Sequence, residues 1–312
     1  MNIKIHNVIK YILLLYFSIN SQYLEAQQEP QYTQYVFNTL SVNPAYAGTR
    51  DAMNALLLSR IQWVGIEGAP RSFDFTMHTP FNKYKMGLGA SIVSDSYGPV
   101  DNYYINFNYA YRVNLNENLI LSMGIRGGIY NYYVGLKSLN IEQIDPTFVN
   151  NVNKIIRPNA GLGFFLYAKD FYAGLSIPRL FETDLNNSSS SSDKSQQTRH
   201  YFLMGAYIWE INNDFKLKPS GLCKIVQGSP ISLDITVQTL YKDRYWFGIN
   251  YRIGDALGVL INVQINNQIT IGYSYDFSIS GLRTFNNGTH EILLSYDFNR
   301  FMKKKMKSPR YF

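Results

Sequence analysis

Charged side chains at alternate positions of apolar segments are the residues of this sequence that could do chemistry. Seven of them fall on the polar face of their segments: Arg60, Asp74, Arg126, Asp234, Arg252, Asp276 and Glu291. Paired charges that line the interior of a folded sheet can tune ion selectivity, act as a general acid and base, or hold the surrounding strands rigid. Because no nucleophile or metal motif accompanies them, we favour a charge network in the wall and expect no catalytic residue, no cofactor and no enzyme activity.

Histidine and cysteine offer no clear alternative site. His290 precedes Glu291, but neighbouring residues of a strand point to opposite faces and do not easily share a metal ion. Neither H-E-x-x-H nor G-x-S-x-G occurs in the sequence. Cys223 is the only cysteine, which excludes an internal disulfide and a cysteine metal cluster. We therefore expect structural roles for His78, His200 and His290 and no metal site.

The elements that must position the charges are β-strands. Large apolar residues alternate with small or polar ones in 103–112, 119–128, 231–238 and 269–276. This alternation is typical of strands with one apolar and one polar face. The same pattern along the whole sequence predicts about fourteen strands, most of them about ten residues long, the length that a tilted membrane strand needs.

The pattern predicts an all-β transmembrane barrel of the outer-membrane type, with about 14 antiparallel strands. Aromatic residues make up 15% of the chain and charged residues only 16%, less charge than a soluble surface usually carries. The longest predicted links follow strands five, seven and thirteen, as expected when short turns face the periplasm and long loops face outward. A secreted β-sandwich is the alternative, but it leaves unexplained the aromatic residues near strand ends, Tyr130 among them.

Three segments lie outside the predicted barrel of residues 53–300. Residues 1–26 are typical of a signal peptide. Their apolar stretch is too short for a transmembrane helix. Residues 301–312 form a basic tail, interpreted either as solubilising or as a dock for an acidic partner or anionic lipid. The remaining body is almost neutral, so nucleic acid is not expected as a partner. With an even number of strands, we expect both termini in the periplasm.

The third segment, residues 27–52, is the candidate for a functional contact. Asn43 and Pro44 favour a turn, and the surrounding aromatic and aliphatic residues form an apolar side that must be buried. We expect a short N-terminal plug or a periplasmic contact segment. Its candidate contact residues are Asn43, Pro44, Ala45, Tyr46 and Gly48. The glycines of 87–91 and 161–165 lie within strand patterns, where glycine relieves crowding or admits another backbone.

Several of these segments resemble a known family. The N-terminal "PQYTQYVFNTLSVNPAYAG", "RIQWVG" and "APRSFDFTMHTPF" are followed late in the chain by "IGYSYDF" and "GTHEILLSYDF". Together they resemble the PorP/SprF family of type IX secretion system membrane proteins. The resemblance covers nearly the whole chain after residue 26.

The resemblance implies a non-catalytic outer-membrane protein of Bacteroidota-type bacteria that assists export of particular cargo and its attachment to the surface. The implied partners are outer-membrane lipid, a secreted adhesin used in gliding or other type IX cargo, and the periplasmic ring and wall-binding components of the system. We take the links 132–154 and 180–199 as candidate cargo contacts.

An outer-membrane solute channel of the porin type is the alternative function. An outer-membrane hydrolase is a third class, which no residue cluster supports.

Overall fold

The computed structural model describes residues 30–135, 152–184 and 196–298, and within them fourteen antiparallel strands form one closed barrel. The strands are β1 (Met53–Ile61), β2 (Arg71–Phe81), β3 (Met86–Tyr97), β4 (Val100–Asn114), β5 (Ile120–Val134), β6 (Val152–Tyr167), β7 (Phe171–Ile177), β8 (His200–Tyr207), β9 (Phe215–Val226), β10 (Ser232–Tyr241), β11 (Tyr245–Arg252), β12 (Ala256–Gln264), β13 (Ile269–Ser278) and β14 (Thr289–Phe298). Each strand pairs with the next, and β1 pairs with β14 to close the barrel. The predicted fold class and strand number are confirmed.

Side chains alternate between the outer surface and the lumen along each strand. In β11, Phe247 and Ile249 are exposed on the outside, whereas Asn250 and Arg252 are buried on the inside. The exposed positions of the other strands are also mostly large apolar residues, as expected for a surface that faces lipid. Among the described residues, no helix is both long and apolar enough to cross a membrane.

The links distinguish the two mouths of the barrel. The longest links follow odd-numbered strands β5, β7 and β13, as the sequence pattern predicts. We call the end where the odd-numbered strands finish the long-link mouth and the opposite end the short-link mouth. The predicted signal peptide (1–26), the basic tail (301–312) and most of the predicted cargo links (132–154 and 180–199) lie outside the described residues.

Residues 30–48, called the plug from here on, lie inside the barrel. They form three short helical turns, Thr33–Val36, Thr39–Val42 and Pro44–Tyr46. Among the described residues, the largest apolar cluster forms between the plug and the inner wall and contains Tyr35, Leu40 and Tyr46 of the plug. Phe165 and Tyr172 of the wall pack in the same cluster. The lumen is therefore filled by a separate segment of the chain, because fourteen strands enclose more space than their own side chains can occupy.

The plug runs from one mouth of the barrel to the other. Near its beginning, Gln31 Nε2 donates to Ser232 Oγ (3.3 Å), at the long-link end of β10. Near its end, the backbone N–H of Gly48 donates to His78 Nδ1 (3.1 Å), late in β2 and close to the short-link mouth. Strand β14 also finishes at the short-link mouth, at Phe298. The described chain therefore begins at one mouth and ends at the other, because the plug adds a crossing that the strand count omits.

Tyr130 lies in the lumen instead of at the lipid interface expected from its position near a strand end. Its ring stacks on that of Tyr104, with 4.7 Å between centroids, and its hydroxyl donates to Asn102 Oδ1 (2.9 Å). The physical reason is register, since Tyr130 pairs with Tyr104 on the inward face of β4 and β5.

Candidate functional site

The candidate site is the interface between the plug and the inner wall. All seven predicted lumen charges are buried on the wall: Arg60, Asp74, Arg126, Asp234, Arg252, Asp276 and Glu291. Five of them form ion pairs in two groups, and the other two lie separately against the plug. Each group contacts a different part of the plug.

The first group joins three strands to the beginning of the plug. Arg60 of β1 lies directly opposite Glu291 of β14 and forms an ion pair with it. Arg60 Nη1 also donates to Asp276 Oδ2 of β13 (3.0 Å). A buried carboxylate is strongly destabilising unless charges and hydrogen bonds compensate its desolvation. The single guanidinium of Arg60 is thus shared between the two carboxylates.

The plug completes the hydrogen bonding of this first group. The backbone N–H groups of Thr33 and Gln34 donate to the two carboxylate oxygens of Glu291, at 2.8 and 2.9 Å. Thr33 Oγ1 donates to Asp276 Oδ2 (2.6 Å). The N–H groups of Thr33 and Gln34 belong to the first turn of Thr33–Val36 and have no partner within their own helical turn. The wall carboxylates and the plug therefore satisfy one another.

The second group lies near the long-link mouth. Arg252 Nε donates to Asp234 Oδ1 (2.9 Å), and Arg252 Nη1 donates to Asp255 Oδ2 (3.3 Å). The side-chain amide of Gln31 also donates to Asp234. Asp234 therefore links the plug to an ion pair between β10 and β11, where it pairs with Arg252 in the strand register.

Asp74 and Arg126 hold the middle of the plug. Asn38 Nδ2 donates to Asp74 Oδ2 (2.8 Å). Arg126 donates to two main-chain carbonyls of the plug, through Nη2 to Leu40 (2.6 Å) and through Nη1 to Ser41 (3.0 Å). A guanidinium presents several donors in a fixed plane, which suits it to bridge neighbouring carbonyls.

The Asn43–Tyr46 segment is held by its own cap and by the wall. Asn43 Oδ1 accepts from the backbone N–H of Ala45 (2.9 Å), and Asn43 Nδ2 donates to the carbonyl of Phe164 on β6 (2.9 Å). Pro44 occupies the first position of the helical turn, where its missing N–H costs nothing. The Ala45 carbonyl accepts from Ser122 Oγ (2.6 Å). The segment that stood out in the sequence is therefore bonded to β5 and β6.

Glycines of the wall admit the backbone of this segment. A Cβ on Gly124 of β5 would lie 2.5 Å from the carbonyl carbon of Pro44, closer than real Cβ atoms approach. A Cβ on Gly87 of β3 would lie 2.8 Å from the Cα of Gly48. Gly48 itself has φ +71°, a conformation that favours glycine. Gly87 belongs to the glycine motif 87–91 noted in the sequence, whereas Gly124 lies in the alternating segment 119–128 and was not selected as a site of close approach.

Arg112 and Lys218 contact the plug although the sequence interpretation did not select them. Arg112 Nη1 donates to the carbonyl of Gly48 (2.7 Å) at the short-link mouth. Lys218 is buried on β9, with Nζ 5.8 Å from the ring centroid of Phe37 and 5.5 Å from that of Trp246. The alternation of β9 puts Lys218 on the lumen face, so the same parity rule applied to that strand could have identified it.

The histidines and the cysteine lie apart from one another. His78 accepts from the plug at Gly48, His200 Nδ1 lies 3.0 Å from the carbonyl of Thr198, and His290 Nδ1 lies 2.7 Å from the Tyr273 hydroxyl. Across the described part of the chain, no group of three His, Cys, Asp or Glu side chains could hold a metal ion. The arrangement fixes a segment in a lumen, through hydrogen bonds, ion pairs and apolar packing.

Comparison with solved structures finds other barrels at low sequence identity. A Pseudomonas aeruginosa FadL homologue is 12% identical, with 88% of this chain and 96% of that chain covered and a TM-score of 0.46. Omp33 of Acinetobacter baumannii is 6% identical, with 79% and 98% covered and a TM-score of 0.47. The toluene transporter TodX of P. putida is 8% identical, with 82% and 92% covered and a TM-score of 0.47. No curated protein matches the sequence.

A family model described as type IX secretion system membrane protein PorP/SprF matches residues 24–296. The match includes the plug and the complete strands β1–β13, together with most of β14. It therefore covers both the plug and the inner wall that holds it. The chain belongs to the PorP/SprF family of type IX secretion system membrane proteins.

Proposed function

We propose that this protein is a non-catalytic component of the type IX secretion system that assists export and surface attachment of cargo, such as a gliding adhesin, by binding. Family membership and the closed barrel support its place in the outer membrane. The structural observation that carries the proposal of binding is the plug, which occupies the lumen from mouth to mouth and is bonded to the wall along its length.

A plugged lumen favours binding over conduction. A solute channel of this strand number needs a water-filled path, lined by the polar inward faces of its strands. Here Glu291, Asp74 and Arg126, which would line such a path, donate to or accept from the plug instead. We infer that the inner wall serves to hold the plug and that partners act at the two mouths.

The two mouths suit different partners in this proposal. The long-link mouth faces outward, as long loops of outer-membrane barrels do, and serves cargo. The short-link mouth, where β14 ends, serves the periplasmic ring and wall-binding components. The apolar outer surface serves outer-membrane lipid. The links 132–154 and 180–199 stay as candidate cargo contacts of the long-link mouth.

The proposal is tested by complementation of a strain that lacks the chromosomal copy. The strain receives the wild-type protein, Gly124→Val or Gly127→Val, and surface-attached cargo is quantified by mass spectrometry of proteins released by protease from intact cells. Gly127 lies on the same strand as Gly124, but a Cβ there would meet nothing within 4 Å. We expect wild type and Gly127→Val to restore cargo display and Gly124→Val to reduce it at least tenfold. Unchanged cargo display in the deletion strain itself would contradict the proposal.

Single-channel recording separates this proposal from a solute channel. The purified wild-type protein is inserted into a planar bilayer, with a known porin as the positive control. We expect a closed barrel without stable open-channel steps. Regular conductance steps from the wild-type protein would favour the channel function instead.

A further inference from the structure

The contacts of the plug descend through the barrel in chain order. Gln31 contacts Asp234, the third residue of β10, and Thr33 contacts Glu291, the third residue of β14. Both are even-numbered strands, which begin at the long-link mouth. The first residues of the plug therefore lie in the part of the lumen next to the long-link mouth.

The later plug residues contact the opposite half of the wall. Ser122, the third residue of β5, donates to the carbonyl of Ala45, and odd-numbered strands begin at the short-link mouth. Arg112, two residues before the end of β4, donates to the carbonyl of Gly48. The plug thus makes a single crossing from the long-link mouth to the short-link mouth, and β1 then starts the barrel where the crossing ends.

We propose that the plug begins, at Pro30, at the extracellular mouth of the barrel, while the last strand ends at Phe298 on the periplasmic side. Long links face outward in outer-membrane barrels, and the plug enters from the mouth that carries the longest links. This replaces the expectation of two periplasmic termini, which considered the strands without the crossing.

The wall is built to hold the plug at this outer mouth. Asp234, paired with Arg252, binds Gln31, and Glu291, paired with Arg60, binds the main chain at Thr33. These ion pairs join β10 to β11 and β14 to β1, so the outer end of the plug is attached at two separate places on the wall. The beginning of the plug at Pro30 and Gln31 is consequently held at the outer mouth and can contribute to the surface that meets external partners. Within the described part of the chain, the periplasmic components meet the short links, the end of the plug and the end of β14.

Cysteine accessibility tests the proposal on the full chain in its native membrane. In a Cys223→Ser background, single cysteines are introduced as Pro30→Cys, as Gln227→Cys in the link after β9, and as Asn213→Cys in the link after β8. Gln227 and Asn213 are both exposed and lie at opposite mouths. Each variant is treated with a membrane-impermeant maleimide, on intact cells and after permeabilisation of the outer membrane. Heat-modifiable gel mobility verifies that each barrel is folded.

We expect Pro30→Cys to be modified on intact cells together with Gln227→Cys, whereas Asn213→Cys is modified only after permeabilisation. Modification of Pro30→Cys only after permeabilisation, together with Asn213→Cys, would overturn the proposal. An inverted pattern, with Asn213→Cys modified on intact cells and Gln227→Cys not, would overturn it by reversing the barrel. A short epitope inserted directly before Pro30 gives a second probe, and we expect an antibody to bind it on intact cells. Antibody binding only after permeabilisation would likewise overturn the proposal.

Discussion

The backbone N–H of Thr33 donates to Glu291 Oε1 at 2.8 Å and so joins the beginning of the plug to the last strand of the barrel across 258 positions of sequence. Glu291 also pairs with Arg60 on β1, directly at the seam where the barrel closes. One carboxylate therefore links closure of the barrel to retention of the plug. Both depend on a charge that is buried on the lumen face.

Glu291→Gln tests whether this carboxylate stabilises both the closed barrel and the seated plug. The variant keeps the size of the side chain and one acceptor oxygen, but it removes the charge that pairs with Arg60. We expect the free energy of unfolding to fall by about 3 kcal/mol, since loss of one partner of a buried ion pair is strongly destabilising. The measurement is urea unfolding in lipid vesicles, followed by tryptophan fluorescence.

The matched control for this change is Glu117→Gln, in the exposed link after β4. We expect it to change the free energy of unfolding by less than about 0.5 kcal/mol, as exposed substitutions usually do. Equal unfolding midpoints for Glu291→Gln and Glu117→Gln would mean that the seam contact contributes nothing to stability.

Gly124→Val is expected to displace the plug without preventing closure of the barrel. A Cβ at Gly124 would overlap the Pro44 main chain, whereas a Cβ at Gly127 would meet nothing within 4 Å. We expect open-channel steps in planar bilayers for Gly124→Val and none for Gly127→Val. Both variants should keep the heat-modifiable mobility of a folded barrel. Quiet bilayers for both variants would show that the plug tolerates the change, against the close approach seen at Gly124.

Asn43 is expected to stabilise the folded protein through both the oxygen and the nitrogen of its side-chain amide. Asn43→Ala removes the cap on Ala45 and the donor to Phe164, so we expect a loss of about 2 kcal/mol in the free energy of unfolding. Asn43→Ser keeps a capping oxygen and should lose about 1 kcal/mol. Thermal unfolding, measured by gel mobility after stepwise heating, should rank wild type above Asn43→Ser and Asn43→Ala last. If the serine and alanine variants unfold together, the cap has no measurable effect.

Strand alternation explains why so much of the wall could be predicted from sequence. The period of two is a property of the extended backbone, so the parity of Arg60 and of Glu291 was sufficient to predict an inward position. Their direct pairing could not be predicted, because it depends on which strands meet when the barrel closes. For Tyr130, the residue type and the place near a strand end suggested the membrane interface. Its position in the alternation of β5 places it in the lumen instead.

The plug was less predictable than the wall. The apolar side of residues 27–52 required burial and favoured a plug, but it left a periplasmic contact surface as the other possibility. The direction of the crossing follows from contacts such as Gln31 with Asp234, which no local pattern encodes. Gly124 was missed for the same reason, since a glycine within a strand does not reveal which backbone will approach it.

The outer surface is expected to tolerate charge only near the membrane boundary. Ile249 is exposed in the middle of β11, and Ile265 is exposed in the short link after β12. Ile249→Lys should lower the free energy of unfolding in lipid by about 2–4 kcal/mol, whereas Ile265→Lys should cost about 0–1 kcal/mol, because the cost of a cation depends on its depth. Equal costs for the two variants in vesicle unfolding would contradict the placement of β11 across the membrane.

The central claim is that this plugged barrel works in type IX secretion by binding. It is tested most directly by purification of the tagged full-length protein from gently solubilised outer membranes, with identification of the proteins that accompany it. Gly124→Val and Gly127→Val, purified in parallel, show whether the interactions depend on the seated plug. We expect secreted cargo or periplasmic components of the secretion system with wild type and Gly127→Val. A wild-type protein that is purified alone and conducts ions in a bilayer would contradict the claim.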